Sequence, residues 1–484
     1  MLCCMTSTGS PLDTYQPYRG LPPMAGLCSI REAADPGLSV ESCVARLKRY
    51  HYAFKRLHEI LIARLTAEPI YELKMAFSLH AHLCAEHVQV LRARVAEMRE
   101  PPLGLDVVPD TNLQVFFDEI LCSPTTESLL VGIYDKALPA LREVLGRHIA
   151  ETNRMVDHPS VRLCRFALLE VDDMIDYGAK AIACLVDDAT RSTLSPWLSS
   201  LDQALAAAGG LDGSQPRSTS PAQRTYSVKP FVFDPKPQRD ERFKDPYNRG
   251  VNAEAFLYDP AMPENAKTLM LYFKRLREID VPEMMASIIH QTSGKPWGYY
   301  RDMTRQLWDE ARHAMMGEVG FIANGVDWTE ARITWTWSLN LNTQLSPAER
   351  HAVLFFIEQS LMPKSGKRYE WEVGVGSGDP LAALFQDYDW ADEVLHARIG
   401  RDWFVKDFAD PKDAIKTGDE CWSKVSSDYG EQLERGLTQH ENWWPRVYLA
   451  ACRHWGIEPD PRVLDWHISY ETRRADLKVI EASG

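Results

Sequence analysis

Apolar residues recur every three or four positions along most of the chain, and strict alternation of apolar and polar residues is nearly absent. This spacing is typical of amphipathic helices that bury one face. It predicts helices at about 44–98 with a break near Pro69, at 124–153, at 159–187, in a short stretch ending near 208, and at 264–291, 296–324, 346–362 and 380–405. We therefore expect an all-α protein.

Segments rich in Gly, Ser and Pro divide these helices into groups. The sequence predicts, in order, an irregular N-terminal arm (1–40), a helical bundle (41–208), a linker (209–250), a second bundle (251–410) and a helical C-terminal extension (411–484). The two bundles share a motif, since FKRLHEI at 54–60 matches FKRLREI at 273–279 in six of seven residues. This similarity indicates a duplicated helical domain.

Composition and charge narrow the classes of protein that remain. Hydrophobic residues make up 45% and charged residues 25%, as in ordinary globular proteins. A net charge of -14 argues against a nucleic-acid binder, which needs a basic surface. The chain has no apolar stretch of the ~20 residues that a membrane helix requires. It starts without a secretory signal pattern, and its ten cysteines form no Cys-x-x-Cys pair, so we expect a cytoplasmic protein.

A chemical signal lies in the second bundle, in the sequence WDEARHAMMGEVG at 308–320. Glu310 and His313 are three residues apart, so on a helix they point the same way. Glu393 and His396 repeat the spacing 83 residues later, and these two are the chain's Glu-x-x-His sequences. A buried carboxylate needs a positively charged partner. Two Glu-x-x-His motifs therefore indicate a metal site rather than a chance repeat of the spacing.

Each motif follows a helix that carries another glutamate. Glu278 lies 32 residues before Glu310, and Glu358 lies 35 residues before Glu393. The loop at 293–294 would bring Glu278 and Glu310 to nearly the same height in an antiparallel pair. Glu283, about 9 Å closer to the loop, remains a rival ligand. One glutamate from each of two helices and Glu-x-x-His from the other two is the ligand set of di-iron or di-manganese carboxylate proteins.

On these residues the second bundle resembles the ferritin-like superfamily of di-iron proteins. The DEARH form of its motif is similar to that of bacterial multicomponent monooxygenases, and the resemblance covers about 130 of the 484 residues. The resemblance implies a set of metal ligands that consists of Glu278 (or Glu283), Glu310, His313, Glu358, Glu393 and His396.

The resemblance also implies roles for the aspartate before each motif glutamate and for the arginine inside the first motif. Asp309 and Asp392 would accept hydrogen bonds from the far nitrogens of the ligand histidines, and Arg312 would pair with one of these aspartates. Each aspartate lies about 100° around the helix from its glutamate and so faces the neighbouring helix. We therefore expect Asp309 to bind His396 and Asp392 to bind His313.

These observations predict two tandem ferritin-like bundles, of which the first has a degenerate metal site. The expected function is a non-haem di-iron oxygenase or oxidase that uses dioxygen as co-substrate to oxidise a small organic molecule. Its cofactor would be two iron ions, with manganese or a mixed iron–manganese pair as alternatives. Its partners would be an electron donor such as a reductase or ferredoxin, in a monomer or homodimer. A ferroxidase and a non-catalytic, metal-stabilised interaction module are the alternative functions.

The first bundle departs from the motif pattern. His87 has Cys84 three residues before it, so no Glu-x-x-His occurs there. We expect this bundle to have lost its metal site. The alternative is a second, differently built site that would use Glu59, His80, His87, Glu170 and Asp173.

Overall fold

The computed structural model describes residues 10–98, 104–217, 221–425 and 429–470. These residues form helices and connecting loops, and they contain no β-strand. The predicted all-α class is therefore confirmed. Within the same ranges, no helix is both long and apolar enough to cross a membrane.

The chain divides into two compact units. The first comprises Met1–Ile60 and Leu83–Val232, and the second comprises Leu61–His82 and Phe233–Gly484. The predicted linker at 209–250 is thus divided, since its residues up to 232 belong to the first unit and those from 233 belong to the second. Residues 61–82, which the sequence analysis assigned to the first bundle, belong to the second unit.

The first half of the chain contains the helices Pro11–Thr14, Ile30–Ala33, Val40–Leu65, Tyr71–Glu97, Thr111–Leu121, Thr126–Leu130, Leu138–Glu151, His158–Leu185 and Asp188–Ala207. A π-helical stretch, Val131–Ala137, joins two of them, and short 3₁₀ turns occur at Tyr18–Gly20 and Met24–Gly26. The Thr111–Leu121 helix was not predicted from the sequence. Its start is fixed by Asp110, whose side chain accepts hydrogen bonds from the N–H groups of Asn112 and Leu113.

The second half contains the helices Ala253–Leu257, Glu264–Arg277, Asp280–Gln291, Trp297–Ala323, Thr336–Gln344, Pro347–Ser360, Tyr369–Gly376, Pro380–Trp403, Pro411–Ser423, Tyr429–Glu434, Trp444–Trp455 and Pro461–Leu464. Lys364–Arg368 is π-helical, and 3₁₀ turns occur at Trp328–Glu330 and Val405–Asp407. The core of the second unit combines aliphatic and aromatic side chains, and Tyr272, Trp443 and Trp444 are all fully buried in it.

A helix predicted as continuous over 264–291 is in fact broken in its middle. The Glu264–Arg277 helix ends at Glu278, and the next helix begins at Asp280. Pro282 explains the break, because it has no N–H to donate to the carbonyl of Glu278 four residues earlier. Val281 donates to that carbonyl instead, at 2.9 Å, which tightens the turn. Glu278 therefore lies at a helix end, and the residues after it follow a separate helix.

Two glycines let this broken segment approach the Trp297–Ala323 helix closely. A Cβ atom on Gly317 would lie 2.2 Å from the backbone nitrogen of Leu276 and 2.5 Å from the carbonyl oxygen of Tyr272. A Cβ atom on Gly320 would lie 2.1 Å from the ring of Tyr272. Only glycine permits this contact between the helices. The contact brings Glu278 to the helix that carries the first Glu-x-x-His motif.

Candidate metal centre

Both Glu-x-x-His motifs lie on long helices whose carboxylate and imidazole groups face inward. Glu310 and His313 belong to Trp297–Ala323, and Glu393 and His396 belong to Pro380–Trp403. All four residues are at most 2% exposed. The second of these helices starts at Pro380, with Asp379 as its N-cap accepting from the N–H of Leu381.

The Nδ1 atoms of the two histidines point at the same group of carboxylates. His313 Nδ1 lies 3.2 Å from Glu278 Oε2 and 3.6 Å from Glu310 Oε2. His396 Nδ1 lies 3.2 Å from Glu310 Oε1 and 3.5 Å from Glu393 Oε2. Glu310 therefore presents one carboxylate oxygen to each imidazole and stands between the two motifs.

The side chains form two adjacent clusters, each compact enough to surround one metal ion. The ligand atoms of each cluster all lie within 4.8 Å of one another. The first cluster consists of Glu278, His313, Asp389 and Glu393, and the second consists of Glu310, Glu358, Glu393 and His396. Since Glu393 belongs to both clusters, the two positions are neighbours that share a carboxylate.

Several of the nitrogen and oxygen atoms that could bind a metal in these clusters are buried without a hydrogen-bond partner. They are Nδ1 of His313 and His396, Oε2 of Glu278 and Glu393, and Oδ2 of Asp389. Buried polar atoms are nearly always hydrogen-bonded, so five such atoms in one place need an explanation. Nitrogen and carboxylate oxygen lone pairs that converge in this way fit a pair of divalent transition-metal ions.

The far nitrogens of both histidines contact the aspartates of the opposite motif. His313 Nε2 lies 3.1 Å from Asp392 Oδ2, and His396 Nε2 lies 3.4 Å from Asp309 Oδ2. The structure thus places both aspartates where the sequence predicts them. An N–H donated from Nε2 leaves the Nδ1 lone pair directed at the carboxylates, which is the tautomer that a metal requires.

Arg312 connects the two aspartates. Its Nη2 donates to Asp309 and, at 2.7 Å, to Asp392 Oδ2. Asp309 also accepts from Nε of Arg305 at 3.0 Å. Burial favours the neutral form of Asp309, but the hydrogen bonds from His396 and Arg312 outweigh it and lower the pKa of its carboxyl group. Asp309 is therefore held as an anion.

The negative charge of the clusters also raises the proton affinity of the histidines. Burial alone would lower the pKa of His313, but the neighbouring carboxylates of Asp392, Glu278 and Glu310 raise it to about 10. Burial and the neighbouring carboxylates Glu393 and Glu310 raise the pKa of Glu358. An environment that protonates both an imidazole and a carboxyl group is one that stabilises added cations.

Two buried cations already lie against the first cluster. Nζ of Lys367, which is 1% exposed, lies 2.8 Å from Glu393 Oε1 and 3.0 Å from Asp389 Oδ1. Arg275 Nη2 lies 3.0 Å from Glu278 Oε1, and Arg275 also pairs with Asp389. Burial opposes ionisation of Glu278, yet Arg275 and Lys367 lower the pKa of its carboxyl group to about 2.

Glu283, the rival ligand, lies outside both clusters. Its Oε1 accepts from Lys74 Nζ at 2.6 Å, and its Oε2 accepts from Arg239 Nη2 at 3.0 Å and from Ser338 Oγ at 2.9 Å. The helix break at Glu278 explains this position, because Glu283 follows a different helix. Both of its carboxylate oxygens accept hydrogen bonds from these groups. The prediction that Glu283 could be a metal ligand is therefore wrong, and Glu283 belongs to a separate buried ion cluster.

Asp389 was missed by the sequence analysis, although a signal was present. It lies four residues before Glu393 on the same helix, so the two carboxylates share a face. Isolated acidic residues one turn before a motif are common, and the contacts of Asp389 with Arg275 and Lys367 depend on tertiary packing. Helical spacing separates Asp389 from the exposed Asp387, but it does not predict the contacts with Arg275 and Lys367 that place Asp389 in the site.

The first unit does not assemble the alternative site. Nε2 of His87 pairs with Glu170 at 2.6 Å, and Glu59 pairs with Arg56 at 3.1 Å. Among the residues that the structure describes, none of the proposed alternative ligands belongs to a compact cluster of three. A different trio, Cys43, His148 and Asp157, does converge there, but Asp157 accepts from Thr152 at 3.0 Å and from Arg94 at 2.9 Å. Hydrogen bonds within the protein therefore satisfy Asp157.

A cavity of about 160 Å³ opens beside the carboxylates. Glu278, Glu310, Glu358 and Glu393 all contribute to its lining. Much of the remaining wall is apolar and is formed by Phe273, Trp337, Leu354, Ile357, Leu361 and Trp422. A small molecule in this cavity would lie next to the candidate metal ligands. No family model, curated protein or solved structure matches the chain.

Proposed function

We propose that the second unit holds two iron ions on a ferritin-like helical bundle and acts as a di-iron oxygenase or oxidase. The observation that carries the proposal is the convergence of two buried imidazole Nδ1 atoms, without hydrogen-bond partners, on shared carboxylates. One ion would be held by the cluster that contains His313, and the other by the cluster that contains His396. Glu310 and Glu393 would lie between them.

When bound, such an iron pair supplies the capacity to reduce dioxygen with electrons from an external donor protein. The chain's own residues have other tasks. Asp309 and Asp392 hold the imidazoles in one tautomer and orientation, and Arg312 fixes both aspartates. Gln306 donates to Glu358 Oε1 at 2.9 Å, which orients that carboxylate. These groups keep the donor atoms in place with little rearrangement.

The cavity favours an oxygenase over the two alternative functions. A ferroxidase needs a path for iron ions, and an interaction module needs no internal space beside its metal ions. Here the wall next to the carboxylates is built from Leu354, Ile357, Leu361 and other apolar side chains. Such a wall excludes water and binds the apolar part of an organic molecule. The proposed reaction is therefore oxidation of a small organic substrate.

The test is anaerobic titration of the full chain with Fe(II), followed by exposure to oxygen with optical and Mössbauer spectroscopy. We expect two ions per chain, coupled spectroscopically, and oxygen consumption in proportion to protein in a monomer or dimer. Oxidised iron far beyond two ions per chain, or a large shell-like assembly, would support iron handling instead. Tight metal binding without any oxygen reaction would support the interaction module.

A further inference from the structure

The charged side chains around the cavity suggest which molecules it binds. The cavity is lined by six cationic side chains, namely Arg249, Lys274, Arg275, Arg277, Arg332 and Lys367. Four of them have carboxylate partners. Lys274 pairs with Glu370 at 2.6 Å and Arg277 with Glu254 at 3.2 Å. Arg275 and Lys367 pair with the candidate metal ligands, as described above.

Arg332 is different, because its acidic neighbour Glu441 acts on it only from beyond ion-pair distance. It is 9% exposed. Its Nη1 donates to the carbonyl oxygens of Thr329, at 3.1 Å, and Glu330, at 3.3 Å. Across the described ranges, no carboxylate lies within ion-pair distance of Arg332, and its Nε and Nη2 atoms donate no hydrogen bond. Its guanidinium therefore has donor groups free to bind an anion that enters the cavity.

Arg249 adds a second cation to the same cavity. Its backbone N–H donates to Nδ1 of His440 at 3.1 Å, but its guanidinium has no ion pair with any described residue. This side chain is exposed, so solvent can hydrate it in the absence of an anion. Arg332 is thus the anchor and Arg249 an auxiliary cation at the cavity.

We propose that the cavity binds a small organic carboxylate, whose acid group is recognised by Arg332 with help from Arg249. The planar guanidinium fork matches a carboxylate through two parallel hydrogen bonds. Volume limits the rest of the ligand, because an apolar cavity of about 150 Å³ holds benzene. The apolar part should therefore be about as large as one phenyl ring, and it would pack against Phe273, Leu354 and Ile357.

A single negative charge suits this cavity better than two. The candidate metal ligands on its wall are themselves carboxylates, and they would repel a phosphate dianion more strongly than a carboxylate. The identity of this ligand as the substrate rests on the proposed oxygenase function. The binding itself rests on Arg332 and the cavity, and it can be measured on metal-free protein.

The experiment is isothermal titration of the metal-free full chain with phenylacetate and hexanoate, each compared with its neutral amide. We expect at least one acid to bind, and to bind about tenfold or more tightly than its amide. Arg332→Gln should weaken that binding by about 10–100-fold, since a hydrogen-bonded charge pair is lost. Arg249→Gln should have a smaller effect, and Arg453→Gln, an exposed arginine outside the cavity, should have none.

Arg332→Lys keeps the charge but removes the fork, and it should lie between wild type and Arg332→Gln. The thermal unfolding of each variant shows whether it is folded. The proposal is overturned if neither acid binds, if acid and amide bind equally, or if folded Arg332→Gln binds as wild type does. Metal stoichiometry is measured separately, so a failure of the iron site leaves the acid-binding result intact, and the reverse also holds.

Discussion

The two halves of the chain carry nearly the same seven-residue motif, yet its glutamate has different surroundings in each. Glu59 of the first unit is 38% exposed in its side chain and pairs with Arg56 on its own helix. Glu278 of the second unit is 17% exposed and lies 3.2 Å from the Nδ1 atom of His313. The motif alone therefore does not make a metal ligand.

The difference arises on the facing helices. In the second unit, Glu-x-x-His supplies an imidazole and a carboxylate on one helical face. In the first unit, His87 has no glutamate three residues before it, and its Nε2 pairs with the half-exposed Glu170. A glutamate that does not face a Glu-x-x-His motif instead pairs with a nearby arginine and contacts solvent. The comparison teaches that a candidate metal site needs side chains from several helices, since the repeated motif supplies only one of the candidate ligands.

The largest expected effect comes from Glu310→Ala. Glu310 presents one oxygen to each imidazole, so its loss should abolish binding of two metals. Elemental analysis after anaerobic Fe(II) loading measures the stoichiometry. Glu59→Ala and Asp173→Ala, which change acids of the first unit, should leave two metals per chain. Retention of both ions in Glu310→Ala would contradict the assignment of the site.

Gly317→Ala should destabilise the second unit strongly. The added Cβ atom would lie 2.2 Å from the backbone of Leu276, so the helices must separate. We expect a loss of about 3 kcal/mol in the free energy of unfolding, at the upper end of overpacking costs, together with weaker metal binding because Glu278 moves.

Gly146→Ala is the matched control in the first unit. Gly146 lies inside the Leu138–Glu151 helix, and a Cβ atom there meets nothing within 4 Å. Its replacement should raise stability by roughly 0.5–1 kcal/mol, since alanine favours helices over glycine. Urea unfolding of the metal-free variants makes the comparison. An unchanged transition in Gly317→Ala would show that the two helices have room to adjust.

Asp309→Asn should weaken the site without emptying it. The substitution removes the anion that accepts from His396 but leaves every candidate ligand in place. Loss of such a partner lowers metal affinity by about 10–100-fold. Competitive titration with a metal chelator measures the affinity, and Asp172→Asn on the first unit should leave it unchanged. Wild-type affinity in Asp309→Asn would mean that the aspartate does not orient its histidine.

A further expected effect, comparable in size to that of Asp309→Asn, is the response of metal affinity to pH. The pKa of His313 is raised from 6.5 to about 10, so in metal-free protein the imidazolium stabilises the fold most fully below pH 6.5. That contribution is lost as the pH rises toward 10. A metal must displace this proton, so metal affinity should rise with pH by about tenfold per unit for each imidazolium displaced.

Titrations between pH 6 and 8, in buffers with different ionisation enthalpies, count the released protons. A pH-independent affinity would show that the imidazoles are already neutral. In the same range, His87→Gln in the first unit should leave the pH dependence of metal binding unaltered, because His87 belongs to neither cluster.

The sequence predicts those parts of the site that depend on local geometry. The two Glu-x-x-His motifs and the crossed pairing of Asp309 and Asp392 follow from the helical repeat, whereas Glu278 reaches the site from the end of a broken helix. The structure places each of them as expected. Glu283 lies outside the site because the helix is broken at Pro282. The sequence shows that a proline disturbs a helix, but it does not show how far the following helix is displaced.

The remaining members of the site are positioned by contacts between distant parts of the chain. Lys367 comes from the π-helical stretch Lys364–Arg368, and Asp389 is engaged by Arg275 from another helix. Local periodicity marks Asp389 only as sharing a helical face with Glu393, and it does not mark Lys367. The regrouping of 61–82 with the second unit is of the same kind, since it depends on packing over long sequence separation.

If the proposed metal positions are real, the crossed pairing of the two motifs would link the filling of one to that of the other. An ion at His313 would draw on Glu393, whose helix also carries His396, and would fix Asp392 and, through Arg312, Asp309. The ligand side chains of the second position would then already be ordered when its ion binds. The entropic cost of ordering the side chains would therefore be incurred once for both ions. Occupancy should therefore be cooperative, with chains that hold no metal or two metals prevailing over chains that hold one.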